Sequence, residues 1–129
     1  MTVVADTNAY SAFCRNDEAV VSLLENADGV IVPSIVIGEL VSGFLQGNQW
    51  DRNWTMLTEF LEQPGVRVQD VGIDEAQKYG LLVKNLKQRG TPIPTNDLWI
   101  AATALSLGAA LVTRDKHFSF IEGLFVLEF

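Results

Sequence analysis

Cysteine is almost absent from this chain: Cys14 is the only one in 129 residues, so no internal disulfide is possible. Long apolar runs are lacking too. None approaches the roughly 20 residues that span a bilayer, and Met1–Asp6 has no basic start of the signal-peptide kind. A cytoplasmic protein with no membrane segment is the expectation. Charge is sparse. Asp, Glu, Lys and Arg make up 19% of the residues, against roughly 25% in an average domain. A large core explains that, and so does apolar surface covered by a partner. Basic residues are scarcer still, nine against sixteen acids, and the net charge of −7 argues against a large basic groove for nucleic acid. A nucleic-acid role then has to rest on something local, such as cations bound within a cluster of acids.

Apolar residues are plentiful, at 48%, and the length suffices for a core without disulfides or a structural metal. Neither an internal repeat nor a low-complexity tract nor a linker interrupts the pattern, so residues 1–129 read as a single domain. Thr2–Ala5 is a short β-branched strand, and Ala9–Cys14 a short helix entered through Thr7 or Asn8. Asp17 is placed to cap a helix carrying Val20, Val21, Leu23, Leu24 and Ala27 inward. Val30–Val32 is a second strand, and Ser34 caps the helix of Ile35, Val36, Leu40, Val41 and Phe44. Trp50, Trp54, Leu57 and Leu61 recur at helical spacing over Gln49–Glu62. Val66–Val68 is a third strand. Asp74, with Gln77 three residues on, opens a helix with Ala76, Tyr79, Gly80, Val83 and Leu86 as its inner stripe. Thr95 caps a helix with Leu98, Ala101, Ala102 and Leu105 on one face; Ala109–Val112 and Leu124–Leu127 are the last strands. Strands alternating with helices predict an α/β fold with a five-stranded, mainly parallel sheet.

The acids fall at telling places in that pattern. Asp6 directly follows the first strand and Asp115 follows the fourth. Open α/β sheets bind ligands at the carboxyl ends of their strands. Glu39 lies in the second turn of the helix after the second strand, and Asp97 in the first turn of the Thr95 helix. In a parallel sheet those helix starts share the same rim. Four converging acids suit Mg²⁺ or Mn²⁺, which prefer oxygen ligands. Without a cation, two carboxylates 4 Å apart repel by about 4 kcal/mol at an effective dielectric of 20. Each acid singly has an ordinary explanation: a helix-dipole partner for Asp97, strand-end turns for Asp6 and Asp115, an outer helix face for Glu39. Only their joint placement points to a site.

The surrounding residues resemble a known family. Asp6-Thr7-Asn8, Pro33-Ser34-Ile35-Val36-Ile37-Gly38-Glu39-Leu40, Asn96-Asp97-Leu98-Trp99-Ile100-Ala101-Ala102 and Leu111-Val112-Thr113-Arg114-Asp115-Lys116-His117-Phe118 are similar, in order and spacing, to the four motifs of PIN-domain ribonucleases of the VapC toxin type. The resemblance covers essentially the whole chain. It implies a parallel sheet with helices on both sides and an acidic pocket of Asp6, Glu39, Asp97 and Asp115. It further implies Mg²⁺ or Mn²⁺ held first by Asp6 and Asp97, an RNA substrate, a homodimer, and a VapB-like antitoxin encoded alongside.

Thr7, Asn8 and Thr113 are candidate supports, for the Asp6 carboxylate or a ligand acid, though helix capping or strand propensity also accounts for them. Arg114 and Lys116 are candidates for phosphate contact or for a solvated loop. His117 reads as a packing partner of Phe118, Cys14 as a small buried apolar residue, and Trp50 and Trp54 as core, although both helices around Gly47 are candidates for partner contact. Two other functions compete. One is a receiver-like signalling domain with Asp70 as phosphoacceptor, near Thr113 and Lys116; it expects an acidic pair where Asp6-Thr7 stands and leaves Glu39 and Asp97 without a role. The other is a PIN fold that has lost catalysis and serves only for interaction.

Overall fold

β1 (Thr2–Ala5), β2 (Gly29–Pro33), β3 (Val66–Gln69), β4 (Ala110–Thr113) and β5 (Val126–Glu128) form one sheet in the order β3-β2-β1-β4-β5. Every neighbouring pair is parallel, with Val4 opposite both Ile31 and Leu111. This computed structural model describes residues 1–129 throughout. Six helices flank the sheet: α1 (Thr7–Cys14), α2 (Glu18–Glu25), α3 (Ser34–Gln46), α4 (Trp50–Leu61), α5 (Ile73–Arg89) and α6 (Thr95–Leu107). A 3₁₀ turn, Lys116–Phe120, leads from β4 toward β5. No helix is long and apolar enough to cross a membrane.

The central strands are apolar without alternation because both faces are covered. Val3, Val4 and Ala5, Val30 to Val32, and Ala110 to Val112 are all buried, within one core of 29 buried apolar residues. The order departs from that of receiver-type folds, 2-1-3-4-5, so the receiver reading fails on topology. The chain steps outward from β1 to β3, then restarts on the other side with β4. The order therefore reverses between β1 and β4, which is where such sheets open a ligand crevice.

Helix starts differ from their predicted positions in an instructive way. Ser34 and Thr95 do not cap. Pro33 and Pro94 occupy those positions, without a side-chain hydrogen bond, at φ −62° and −53°. Proline fixes φ at this value unaided, so strand or loop turns directly into helix and the helix begins a residue early. Asp6, rather than Thr7 or Asn8, caps α1. Asp17 caps α2 as predicted. α5 starts at Ile73, and the Glu75 carboxylate, not Gln77, reaches back to accept the Gly72 N–H at 3.2 Å. Its buried side runs through Glu75, Tyr79, Leu82 and Leu86, while Ala76, Gly80 and Val83 face outward. The Tyr79 ring stacks on Trp99 of α6, 3.8 Å between centroids, and that aromatic anchor sets the rotation of the helix. α6 is buried nearly all round, at Leu98, Ile100, Ala101, Ala102, Thr103 and Ala104. Its alanines let neighbours approach closely, which hides its amphipathicity in the sequence.

Cys14 is exposed, not buried. Trp50 and Trp54 stack on each other at 5.4 Å, with Trp54 exposed, so they form a surface feature of α4 rather than core. β4 runs one residue later than predicted and so carries Thr113 to the rim of the sheet.

Candidate active site

Asp6 is the first residue beyond β1, tied to its neighbour strand by donating its N–H to the Val112 carbonyl. Its carboxylate does two local jobs. Oδ1 accepts the Thr7 N–H at 2.7 Å and so starts α1, and Oδ2 accepts the Thr113 hydroxyl at 2.7 Å from the end of β4. Thr113 Oγ1 in turn accepts the Asp115 N–H at 3.0 Å. One hydroxyl thus couples the acids that follow the two strands at the switch point. The neighbouring turn is held by Asn8, whose Oδ1 accepts the Arg114 N–H at 3.2 Å. Thr7 supports Asp6 as anticipated, through its amide, and a second acid besides: its hydroxyl donates to Glu39 Oε1 at 2.6 Å.

Asp97, half-buried in the first turn of α6, and Asp115, which caps the 3₁₀ turn by accepting the His117 N–H at 2.9 Å, meet at His117. His117 Nδ1 lies 3.2 Å from Asp97 Oδ2 and 3.0 Å from Asp115 Oδ1. Ligand atoms of these three residues all fall within 4.8 Å of one another. His117 is therefore a member of the acidic site rather than a packing residue. Its neighbour Phe118 is the one that packs, fully buried. Apolar Phe118 after a polar turn suggested core for both; the signal that separates them is that Asp115 starts a tight turn, which sends His117 back toward the acid.

The four motif acids line one cleft of about 370 Å³ together with Thr7, Asn8, Ser11, Arg15 and Arg114, and no apolar residue lines it. Ser11 and Arg15 went unnoticed in the sequence, yet Asn8, Ser11 and Arg15 are spaced by three and four and share one face of α1. Asp70, by contrast, is exposed beyond the edge strand β3, outside this cleft.

Crowding shows in the proton affinities. Burial pushes the Asp6 carboxyl up to about 6 from 3.8; the Thr113 and Thr7 hydrogen bonds oppose the rise, and the Asp97 and Glu39 charges add to it. The Asp97 carboxyl is raised as well, mainly by burial, with the His117 hydrogen bond opposing and Asp115 and Glu39 reinforcing. Four carboxylates, one of them buried, gathered in a cleft that no apolar residue lines and where no Arg or Lys pairs with them, are a donor set that suits a hard divalent cation. His117 Nδ1 sits where Asp97 and Asp115 converge, so a cation shared by those two must displace the imidazole or accept it as a ligand.

The family model of the PIN domain matches residues 3–124. The chain belongs to the PIN domain family. Among curated proteins, this PIN domain is 32% identical to ribonuclease VapC1 of Haemophilus influenzae over 96% of this chain and 95% of that one. It is 36% identical to ribonuclease VapC4 of Mycobacterium tuberculosis over 68% of each. Among solved structures it is similar to VapBC-1 from nontypeable Haemophilus influenzae, with a TM-score of 0.88, 28% identity and coverage of 99% and 98%. Another is a member of the VapBC family of toxin-antitoxin systems, VapBC-5 from Mycobacterium tuberculosis, with a TM-score of 0.71, 29% identity and coverage of 98% and 96%.

Proposed function

We propose that this chain, as a single PIN domain over residues 1–129, is a divalent-metal-dependent endoribonuclease of the VapC toxin type. It would act on RNA in the cytoplasm and be held in check by a VapB-like antitoxin. The observation that carries the reading is the convergence of Asp6, Glu39, Asp97 and Asp115 in one polar cleft at the switch point between β1 and β4. Likeness to ribonucleases VapC1 and VapC4 supports RNA as the substrate, and likeness to VapBC-5, from a toxin-antitoxin family, supports the partner. All four acids are present, which favours an active enzyme over a module retained for binding alone.

In this reading Asp6 and Asp97 are the principal ligands of Mg²⁺ or Mn²⁺, with Glu39 and Asp115 completing the set. When bound, such a cation polarises the scissile phosphate and offsets repulsion among the carboxylates. The protein's part is to keep those oxygens in place. Thr113 fixes the rotamer of Asp6 from one side and the Thr7 amide fixes it from the other. The Thr7 hydroxyl orients Glu39. His117, whose Nδ1 lies between Asp97 and Asp115, would give way to that cation or join its ligands.

A larger, mixed cleft of about 650 Å³, with Tyr10, Phe13, Leu24, Met56 and Phe60 on its apolar side and Glu25, Asp28 and Glu59 among its polar lining, holds none of the four acids. Through Tyr10, Cys14 and Met56 it adjoins a smaller groove that reaches Ser11, a lining residue of the acidic cleft. Adjoining part-apolar grooves that reach Ser11, beside the acids, support an inhibitory partner that lies along them.

Purified protein incubated with RNA tests the mechanism. Cleavage is expected to stop in EDTA and to return with Mg²⁺ or Mn²⁺. Undiminished cleavage in EDTA, with a contaminating nuclease excluded, would rule the metal mechanism out.

A further inference from the structure

Two cationic side chains, Arg15 and Arg114, line the acidic cleft. Arg114 stands between Thr113 and Asp115, with its backbone pinned by Asn8 at 3.2 Å. Four carboxylates line the same cleft, yet its guanidinium makes neither an ion pair nor a hydrogen bond within the protein. It lies instead over the ring of Phe129, 4.8 Å from the centroid. An aromatic face holds a guanidinium without consuming its N–H donors. Lys116, two residues on, is different: its ammonium is paired with Glu128 at 3.0 Å and does not line the cleft. The sequence left both residues equally open to phosphate contact; the fold separates them.

We infer that Arg114, propped by Phe129, grips a backbone phosphate of the RNA next to the bond that is cut. This rests on the ribonuclease reading and names how that site holds its substrate. A polyanion entering a cleft of acids on a chain of net charge −7 meets repulsion wherever cations do not offset it. A planar fork of free donors, seated on Phe129 at the edge of the cleft, matches the non-bridging oxygens of a phosphate. The contact is to backbone and carries no base preference. Arg114 is therefore a binding residue, and Phe129 its positioning residue.

Steady-state cleavage of a single-stranded RNA oligonucleotide with Mg²⁺, by the wild type and by Arg114→Ala, Arg114→Lys, Phe129→Leu and Lys116→Ala, provides the test. Arg114→Ala is expected to raise KM about tenfold, the scale of one charge-assisted hydrogen-bond contact, with kcat little changed. Arg114→Lys recovers part of that loss, Phe129→Leu shows a smaller rise in KM, and Lys116→Ala stays at the wild-type value. Fluorescence anisotropy of the labelled oligonucleotide, in the uncleaving Asp97→Asn background, gives a readout apart from turnover. There Arg114→Ala lowers the slope of log affinity against log salt by about one phosphate contact. Thermal melting verifies that each variant is folded. An unchanged KM and salt slope in Arg114→Ala overturns the inference, as does an equal effect of Lys116→Ala, which would mean diffuse electrostatics. A fall in kcat at constant KM overturns it as well. A wild type that cuts no RNA at all defeats the ribonuclease reading itself, and this inference with it.

Discussion

At Asp6 a carboxylate that is only 4% exposed caps a helix, accepts the Thr113 hydroxyl and still titrates near 6. Its folded pKa lies above the 3.8 of the free side chain, so the folded state binds the proton more tightly than the unfolded one. Stability of the metal-free protein should therefore fall as pH rises from about 4 to about 6 and level off above that. A two-unit shift corresponds to about 3 kcal/mol at most. Melting in EDTA across this range should show that decline in the wild type and a flatter profile in Asp6→Asn. Asparagine keeps an acceptor for the Thr7 amide, and the Thr113 hydroxyl can turn to Asn8 Oδ1, now at 3.4 Å. An undiminished decline in Asp6→Asn would assign the titration to other groups. The four acids were legible in the sequence because each sits at a strand end or early helix turn within a recognisable run. His117 was not, because its role depends on the direction of a turn that only the Asp115 cap defines.

The elements most faithfully written in the sequence are the central strands, whose unbroken apolar runs allow one reading. α5 is the counter-example. It has two apolar stripes, and periodicity alone does not say which one the fold buries. Tyr79 stacking on Trp99 and the Glu75 cap select one, leaving Ile73 at 76% exposure in line with Ala76, Gly80 and Val83. A methyl group at Gly80 would meet nothing within 4 Å, so the surface there is flat and open. Asp74 lies near one end of the helix, Lys84 and Lys87 near the other. Two copies of α5 packed antiparallel would bring Asp74 of each near Lys87 of the other and cover the exposed stripe of both. Sedimentation at micromolar concentration is expected to give a dimer for the wild type and a monomer for Ile73→Asp/Val83→Asp, with the melting temperature of the fold nearly kept. A monomeric wild type would reject self-association through α5.

For the molecule as a whole, the cleft ties β1, α3, α6 and β4 to one another, so a cation bound there should stabilise the entire fold. At a free concentration about 100 times its dissociation constant, Mg²⁺ should add roughly 2.7 kcal/mol. Asp97→Asn should abolish cleavage, melt no lower than the wild type in EDTA, and gain much less from Mg²⁺, since it removes one of the crowded charges while keeping an acceptor for His117. A variant that melts far below the wild type in EDTA would make Asp97 a structural acid at a helix start. The sheet class and the alternation of strands with helices could be read from pattern. The strand order could not, because it depends on which strands pair across long stretches of chain.

That same strand order governs when the four acids can come together during synthesis. The Thr113 hydroxyl meets Asp6 across 107 positions of sequence, and β4 must slot beside β1 before the two are joined. A ribosome that has released β1 to β3 has exposed only two of the four acids, with Asp97 and Asp115 still to come. Contacts of such long range also form late in folding. In the ribonuclease reading, cleavage is therefore expected only once Asp97 and Asp115 have been made and β4 has docked beside β1, and a chain stopped before Asp97 is expected to leave RNA uncut.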